Sequence, residues 1–224
     1  FCAFKRNVGD SKEGYTLDKE VLEAKVRQAQ ELGATSILLQ GGLNPDLPLP
    51  YYVDLVRFLR GLDIHIHGFS APEIHFLAHL EKKSYEESFA PLIEAGLGSL
   101  PGGGAEVLSE RVRKKLCRDK GTTEEWLSVH RTAHTLGLKS NATLLYGHIE
   151  TAEEKVEHLF HIRDLQDETG GFSCFIPLAY HHEKNPLGKL PEPTGVDNLK
   201  HIAIARLVLD NVPHIKAYSP KLGV

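Results

Sequence analysis

The period of apolar and polar positions changes repeatedly along the chain and marks out alternating helices and strands. Leu17, Val21, Leu22, Ala29 and Leu32 recur at helical spacing between Thr16, a favoured N-cap residue, and Gly33, a favoured helix stop. Ser36-Ile-Leu-Leu-Gln40 is instead a short apolar run, the pattern of a buried strand. Pro48 and Pro50 introduce a second helix carrying Tyr52, Leu55, Val56 and Leu59. Residues 63–69 then alternate, with Ile64 and Ile66 of one parity and His65 and His67 of the other, as a strand with two unlike faces requires. Ser84-x-x-Glu87 is a capping box for a helix that ends near Gly96, and a short strand covers 98–100. After Pro101-Gly-Gly-Gly104 the pattern predicts a helix over 105–116, and a second one from the capping box Thr122-x-x-Glu125 to Gly137. A strand over 138–146, a long amphipathic helix opened by Thr151-x-x-Glu154, a strand over 172–178, a helix over 194–209 and a strand over 214–218 complete the series.

Six strands joined by helical connections predict an α/β fold, a parallel sheet with helices packed outside it. An open doubly wound sheet satisfies the same alternation. A (β/α)8 TIM-type barrel is favoured because so many strand C-terminal ends carry glycine or polar residues, and that face holds the active site of such barrels. With six strands visible the barrel is expected to be incomplete, one strand preceding Phe1 and another following Val224. No linker or repeat interrupts the pattern, so 1–224 is expected to form a single domain truncated at both ends.

Composition narrows the function. The chain carries 26 Lys and Arg against 30 Asp and Glu, a net charge of −4 with no basic stripe, which argues against a nucleic-acid surface. The longest apolar runs are strand-sized, so no membrane span is expected. Cys2, Cys117 and Cys174 are odd in number and far apart, which fits a cytoplasmic protein rather than a disulfide framework.

The candidate chemistry sits at the strand ends. Gly41-Gly42 allows a ligand to approach the backbone, although taken alone the pair is better explained by a tight turn. Gly102-Gly103-Gly104, followed by Ala105-Glu106, matches neither a phosphate loop nor a dinucleotide fingerprint. Arg111 and Arg113 in the following helix can hold a carboxylate or lie in solvent. Asn141 and Thr143 share one face of their strand, and its exit reads Tyr146-Gly-His-Ile-Glu150. Histidines suggest a second chemistry. His65-x-His67, His148 and the pair His181-His182 lie at three strand ends, and imidazoles two apart on a strand can bind zinc. A zinc-dependent barrel hydrolase using His65, His67 and His148 is therefore one alternative, and a non-catalytic binding barrel another. Cys174 reads as a small core residue. Cys2 precedes the first helix, in the place of a barrel's first strand-to-helix loop, where a thiolate ligand would lie at the active face.

Phe1-Cys-Ala-Phe4 resembles the end of the C-x-x-x-C-x-Φ-C cluster motif of radical SAM enzymes, with Phe1 as Φ. Gly-Gly-Leu-Asn-Pro (41–45), His-Ile-His-Gly-Phe-Ser-Ala-Pro-Glu (65–73), Pro-Gly-Gly-Gly-Ala-Glu (101–106), Gly-His-Ile-Glu-Thr (147–151) and Leu-Gln-Asp-Glu-Thr-Gly-Gly-Phe (165–172) resemble one branch of that superfamily. The branch holds the futalosine-route menaquinone enzymes and the deazaflavin synthases. The glycine run is similar to the menaquinone enzymes. The stretches 130–143 and 193–218 are similar to their aminofutalosine synthases, with the cyclic dehypoxanthine futalosine synthases as the alternative, towards which Ile66-His-Gly-Phe-Ser70 leans.

The resemblance implies a [4Fe-4S] cluster held by three cysteines, S-adenosylmethionine consumed as substrate, and an electron donor such as flavodoxin or ferredoxin. It implies that the 5′-deoxyadenosyl radical adds to 3-[(1-carboxyvinyl)oxy]benzoate, with decarboxylation, to give aminodeoxyfutalosine. Cys2 would ligate iron and Phe1 would lie against adenine. Gly41 and Gly42 would meet the methionine amino group, with Leu43 standing where many members have glutamate. Glu106 would bind ribose and Arg111 or Arg113 the methionine carboxylate. Gly147 to Glu150, with Ile176 and Pro177, would frame adenine. Ser70, Glu73 and His148 are catalytic candidates for contacting the benzoate or moving protons. The first two cluster cysteines are absent from the sequence, which is therefore expected to be inactive by itself.

Overall fold

The computed structural model describes residues 6–10, 12–181, 187–188 and 190–218. These fall into two compact units, one reaching to Pro101 and the other starting at Gly102.

In the first unit helices and strands alternate as α1 (Lys19–Glu31), β1 (Ser36–Leu39), α2 (Leu49–Arg60), β2 (His65–Gly68), α3 (Ala71–Glu81), α4 (Tyr85–Ala95) and β3 (Ser99–Leu100). The strands are parallel neighbours in chain order, with Ile37 beside Ile66 and His67 beside Ser99. The parity of β2 is the expected one. Ile64 and Ile66 are buried with Val56, Leu59, Ile74, Phe89 and Leu92, whereas His65 is exposed and His67 half-buried. Each such apolar side chain contributes about 1.5–3 kcal/mol on burial.

Two features of this unit differ from the periodicity. The first helix is capped by Asp18, not Thr16, and starts at Lys19. Residues 71–81, which carry no clean amphipathic stripe, form the additional helix α3. Its signals are local. Ser70 and Glu73 form a capping box, and Pro72 lies in the first turn, where its missing N–H is no loss. Phe69, at φ 60°, turns the chain from β2 into this helix, and its ring packs edge-on against Tyr52.

The second unit contains α5 (Glu110–Leu116), a 3₁₀ turn (Arg118–Lys120), α6 (Thr123–Thr135), β4 (Lys139–Tyr146), α7 (Ala152–Thr169), β5 (Phe172–Ala179), α8 (Gly195–Val208) and β6 (His214–Ile215). Its strands are again parallel and adjacent in chain order. β4 and β5 run together from Ser140 beside Phe172 to Tyr146 beside Ala179, with an irregularity after Ser140. The capping boxes read at Thr122 and Thr151 form, and the structure adds one at Thr194, each threonine accepting the N–H three residues on. The helix expected from Ala105 begins only at Glu110, because Glu106 adopts φ 47° and a left-handed residue cannot continue a right-handed helix. Trp126, Val129, Ala142, Ile162 and Phe175 form the centre of this unit's core. Among the described residues, no helix is long and apolar enough to cross a membrane.

Candidate active site

In the first unit the strand-end features converge on one carboxylate. Glu73 is buried, and its Oε1 accepts the Gly41 N–H at 2.8 Å. Its Oε2 accepts the Ser70 N–H at 2.8 Å and the Ser70 hydroxyl at 2.6 Å. The helix cap of α3 thus also holds the exit of β1, 32 residues earlier in sequence. Burial, and the negative charge of Glu73 after it, push the Tyr52 phenol up to about 12.

His65 and His67 each place a ring nitrogen on Ser99 Oγ, at 2.8 and 2.7 Å. That geometry satisfies a hydroxyl between two imidazoles, not a metal ion. Among the described residues no three His, Cys, Asp or Glu side chains are grouped to hold one.

In the second unit the exit of β4 makes a closed turn. Glu150 Oε1 accepts the Gly147 N–H at 2.6 Å and Oε2 the His148 N–H at 2.8 Å. His148 is wholly buried. Its Nδ1 accepts the Ile149 N–H at 2.7 Å, and its Nε2 lies 2.9 Å from the Leu145 carbonyl, to which only a protonated nitrogen can bond. Nδ1 also lies 3.0 Å from Glu150 Oε2. Burial pulls the pKa of the ring down, with Glu150 opposing. Gly147 has no substitute here. Its φ is 91°, and a Cβ would sit 2.3 Å from the Pro193 ring. Beside this turn, Tyr146 stacks on His201 with ring centroids 3.8 Å apart and donates to Asn198 Oδ1 at 2.6 Å. Ile176 and Pro177 on β5 lie next to Thr143 and Leu144 of β4, Ile176 half-buried and Pro177 buried.

The glycine-rich segment is held along its whole length. Thr143 Oγ1 donates to the Gly102 carbonyl at 2.7 Å and Trp126 Nε1 to that of Gly103 at 3.3 Å. The Leu145 N–H bonds the Glu106 carbonyl at 2.8 Å, and the Leu108 N–H bonds His158 Nδ1 at 3.0 Å. Gly102 must lack a Cβ, which would stand 2.5 Å from the Asn141 carbonyl oxygen. Glu106 pairs with Lys120 Nζ at 2.6 Å through Oε1, and its Oε2 has no partner among the described residues. A largely buried carboxylate with one acceptor oxygen left over suits a ligand that donates hydroxyls.

The two arginines expected at a carboxylate are otherwise engaged. Arg111 grips both oxygens of Glu154, at 2.8 and 2.5 Å, and the Ile149 carbonyl at 2.8 Å. This pairing holds the Glu154 carboxyl down at about 2. Arg113 is 1% exposed and bonds only backbone carbonyls. The hold of Glu73 on Gly41, and the roles of Arg113 and His158 as supports, had no motif to reveal them, since each acts on backbone distant in sequence or across an irregular loop. Phe1, Cys2 and His182 lie outside the described residues. Cys117 is buried and Cys174 half-buried, both free thiols whose pKa burial raises.

The family model described as the Radical SAM superfamily matches residues 1–162. The chain is 47% identical, over 97% of its length, to the aminodeoxyfutalosine synthase of Thermus thermophilus, of which it covers 60%. It is 42% identical over its full length to the cyclic dehypoxanthine futalosine synthase of Halalkalibacterium halodurans, again covering 60%. Identity is 39% over the full chain to a 5-amino-6-(D-ribitylamino)uracil–L-tyrosine 4-hydroxyphenyl transferase of Methanococcoides burtonii, of which 64% is covered. The chain thus spans about three fifths of the length of the curated relatives it matches. The crystal structure of methylornithine synthase superposes on 89% of this chain and 55% of its own, with a TM-score of 0.69 at 16% identity. At that identity the likeness shows the fold, an α/β TIM-barrel type with parallel strands, as the alternation of elements implied.

Proposed function

Because the chain belongs to the radical SAM superfamily, we propose that it is part of an enzyme that makes aminodeoxyfutalosine. The substrates would be S-adenosylmethionine and 3-[(1-carboxyvinyl)oxy]benzoate. The observation that carries this choice is the identity of 47% to an aminodeoxyfutalosine synthase, against 42% to the cyclic dehypoxanthine futalosine synthase and 39% to the hydroxyphenyl transferase. A [4Fe-4S] cluster, when bound, supplies the single electron that cleaves the sulfonium. Cys2 is our candidate for one of its ligands, and flavodoxin or ferredoxin for the electron donor.

The described residues support specific parts. Glu106, with its unpartnered Oε2, is suited to accept the ribose hydroxyls. Glu73 and Ser70 orient the Gly41 peptide, and Gly41-Gly42 offers backbone to the methionine amino group. The turn from Gly147 to Glu150, with Ile176 and Pro177, offers a wall of fixed shape for a flat base. In this reading His148 shapes that wall, because both its ring nitrogens are bonded within the turn. The zinc hydrolase is not favoured, since His65 and His67 each turn one ring nitrogen to Ser99 and no metal-ligand group forms among the described residues.

The test is product analysis. Full-length protein, reconstituted anaerobically with iron and sulfide and given a reductant and S-adenosylmethionine, should consume the enolpyruvyl benzoate and release a product carrying the adenosyl group. Consumption of dehypoxanthine futalosine alone would select the sister activity. Consumption of neither would overturn the proposal.

A further inference from the structure

The geometry points to Arg113 as a positioning residue that sets the distance between Glu106 and Lys120 without touching any ligand. This rests on the reading above that Glu106 meets S-adenosylmethionine. Arg113 is 1% exposed, and among the described residues its partners are backbone carbonyls, with no carboxylate paired to it. Its donors reach two separate pieces of chain. Nη1 bonds the carbonyls of Gly104 at 3.0 Å and Ala105 at 2.8 Å, the two residues before Glu106. Nη2 bonds the carbonyl of Lys120 itself at 2.9 Å, and Nε that of Gly121 at 2.8 Å. One rigid planar group thus ties the peptide that launches Glu106 to the peptide that launches Lys120. The side chains of those two residues then meet at 2.6 Å.

A guanidinium is needed for this. Its donors diverge in one plane, so a single residue can bond both segments, whereas a lysine ammonium is a point that cannot span them. The buried charge must keep its carbonyls, because among the described residues they are what replaces water around it. The left-handed φ of Glu106, 47°, is the conformation most in need of outside support, and the Ala105 carbonyl bonded by Arg113 belongs to the peptide that ends at Glu106.

The test compares Arg113→Lys with Val129→Ala, a buried change in α6 that lowers stability through packing alone, and with Glu106→Gln. Without cofactor, hydrogen exchange of a peptide covering 102–109 should be at least tenfold faster in R113K than in V129A. In the cluster-loaded full-length protein, the Kd for S-adenosylmethionine should rise at least tenfold in R113K and less than twofold in V129A. Equal exchange, or an unchanged Kd in R113K, overturns the proposal. If Glu106→Gln leaves the Kd unchanged, the ligand reading of Glu106 fails instead, while the exchange result still judges the clamp. Should R113K not fold, the wild-type protein decides. A clamped guanidinium gives separate, slowly exchanging Nη1 and Nη2 proton resonances for Arg113, and averaged resonances would refute the clamp.

Discussion

Gly102→Ala isolates the close approach between the glycine-rich segment and β4. The backbone of Gly102 is not left-handed, so alanine is conformationally permitted and the effect is steric. An added Cβ would lie 2.5 Å from the Asn141 oxygen, 2.7 Å from the Ala142 Cα and 2.8 Å from the Asn141 carbonyl carbon, all backbone atoms. Restoring ordinary contact requires about 1 Å of movement. β4 cannot supply it easily, because it is held in register to β5 from Ser140 to Tyr146. The segment must move instead, and the 2.7 Å bond from Thr143 Oγ1 to the Gly102 carbonyl is then lost. Overpacking of this kind costs about 1–3 kcal/mol, and the lost hydrogen bond about 1 kcal/mol more. The expected loss is about 2–4 kcal/mol, or roughly 5–15 °C in Tm. Urea unfolding followed by Trp126 fluorescence measures it where it occurs, since Trp126 is the one tryptophan of the sequence and its Nε1 bonds the neighbouring Gly103 carbonyl. Gly137→Ala is the control. It has φ 87° but open space around a Cβ, so it carries only the left-handed cost of about 1–2 kcal/mol. A G102A stability within 0.5 kcal/mol of wild type, or a loss smaller than that of G137A, refutes the steric argument.

Other expectations follow from the supports. Glu73→Ala removes the acceptor of the Ser70 and Gly41 N–H groups, and is expected to cost about 1–3 kcal/mol in a urea titration while weakening S-adenosylmethionine binding. His134 is pushed down to about 4, first by burial and then by Lys139, with Glu168 opposing, and His158 to about 3, first by burial and then by His161 and Arg113. Both are neutral in the folded protein, so the unfolded chain takes up protons first. Stability is complete above about pH 6.5 and falls as pH drops towards 4 and then 3. His134 alone accounts for on the order of 2 kcal/mol once its partial exposure is allowed for, and His134→Asn should flatten the upper part of an acid titration of Tm. The double change His65→Ala with His67→Ala should leave the iron content of the reconstituted full-length protein unchanged and reveal no zinc in either form, as read by elemental analysis.

Much of this protein is determined locally and was legible in the chain. Apolar period set the alternation of helix and strand, because a side chain's face depends only on its position along a helix or strand. The capping boxes at Ser84, Thr122 and Thr151 formed as written, since each closes within three residues. The strand-end motifs likewise pointed to the superfamily that the family model matches. Tertiary structure decided what depends on groups far apart. The helix expected from Ala105 gave way to a loop in which Glu106 is left-handed and whose peptide groups bond the Leu145 amide of β4 and the side chains of Arg113 in α5, Trp126 in α6 and His158 in α7, none of them adjacent in sequence. His65 and His67 had the spacing of metal ligands, and only the position of Ser99, 32 residues beyond His67, shows that one nitrogen of each turns to a hydroxyl. Arg111 and Arg113 are two residues apart and of one type, yet one grips a carboxylate and the other four carbonyls. A charged side chain takes whichever partners best replace its lost water, and which partners are within reach is settled only when the chain has folded.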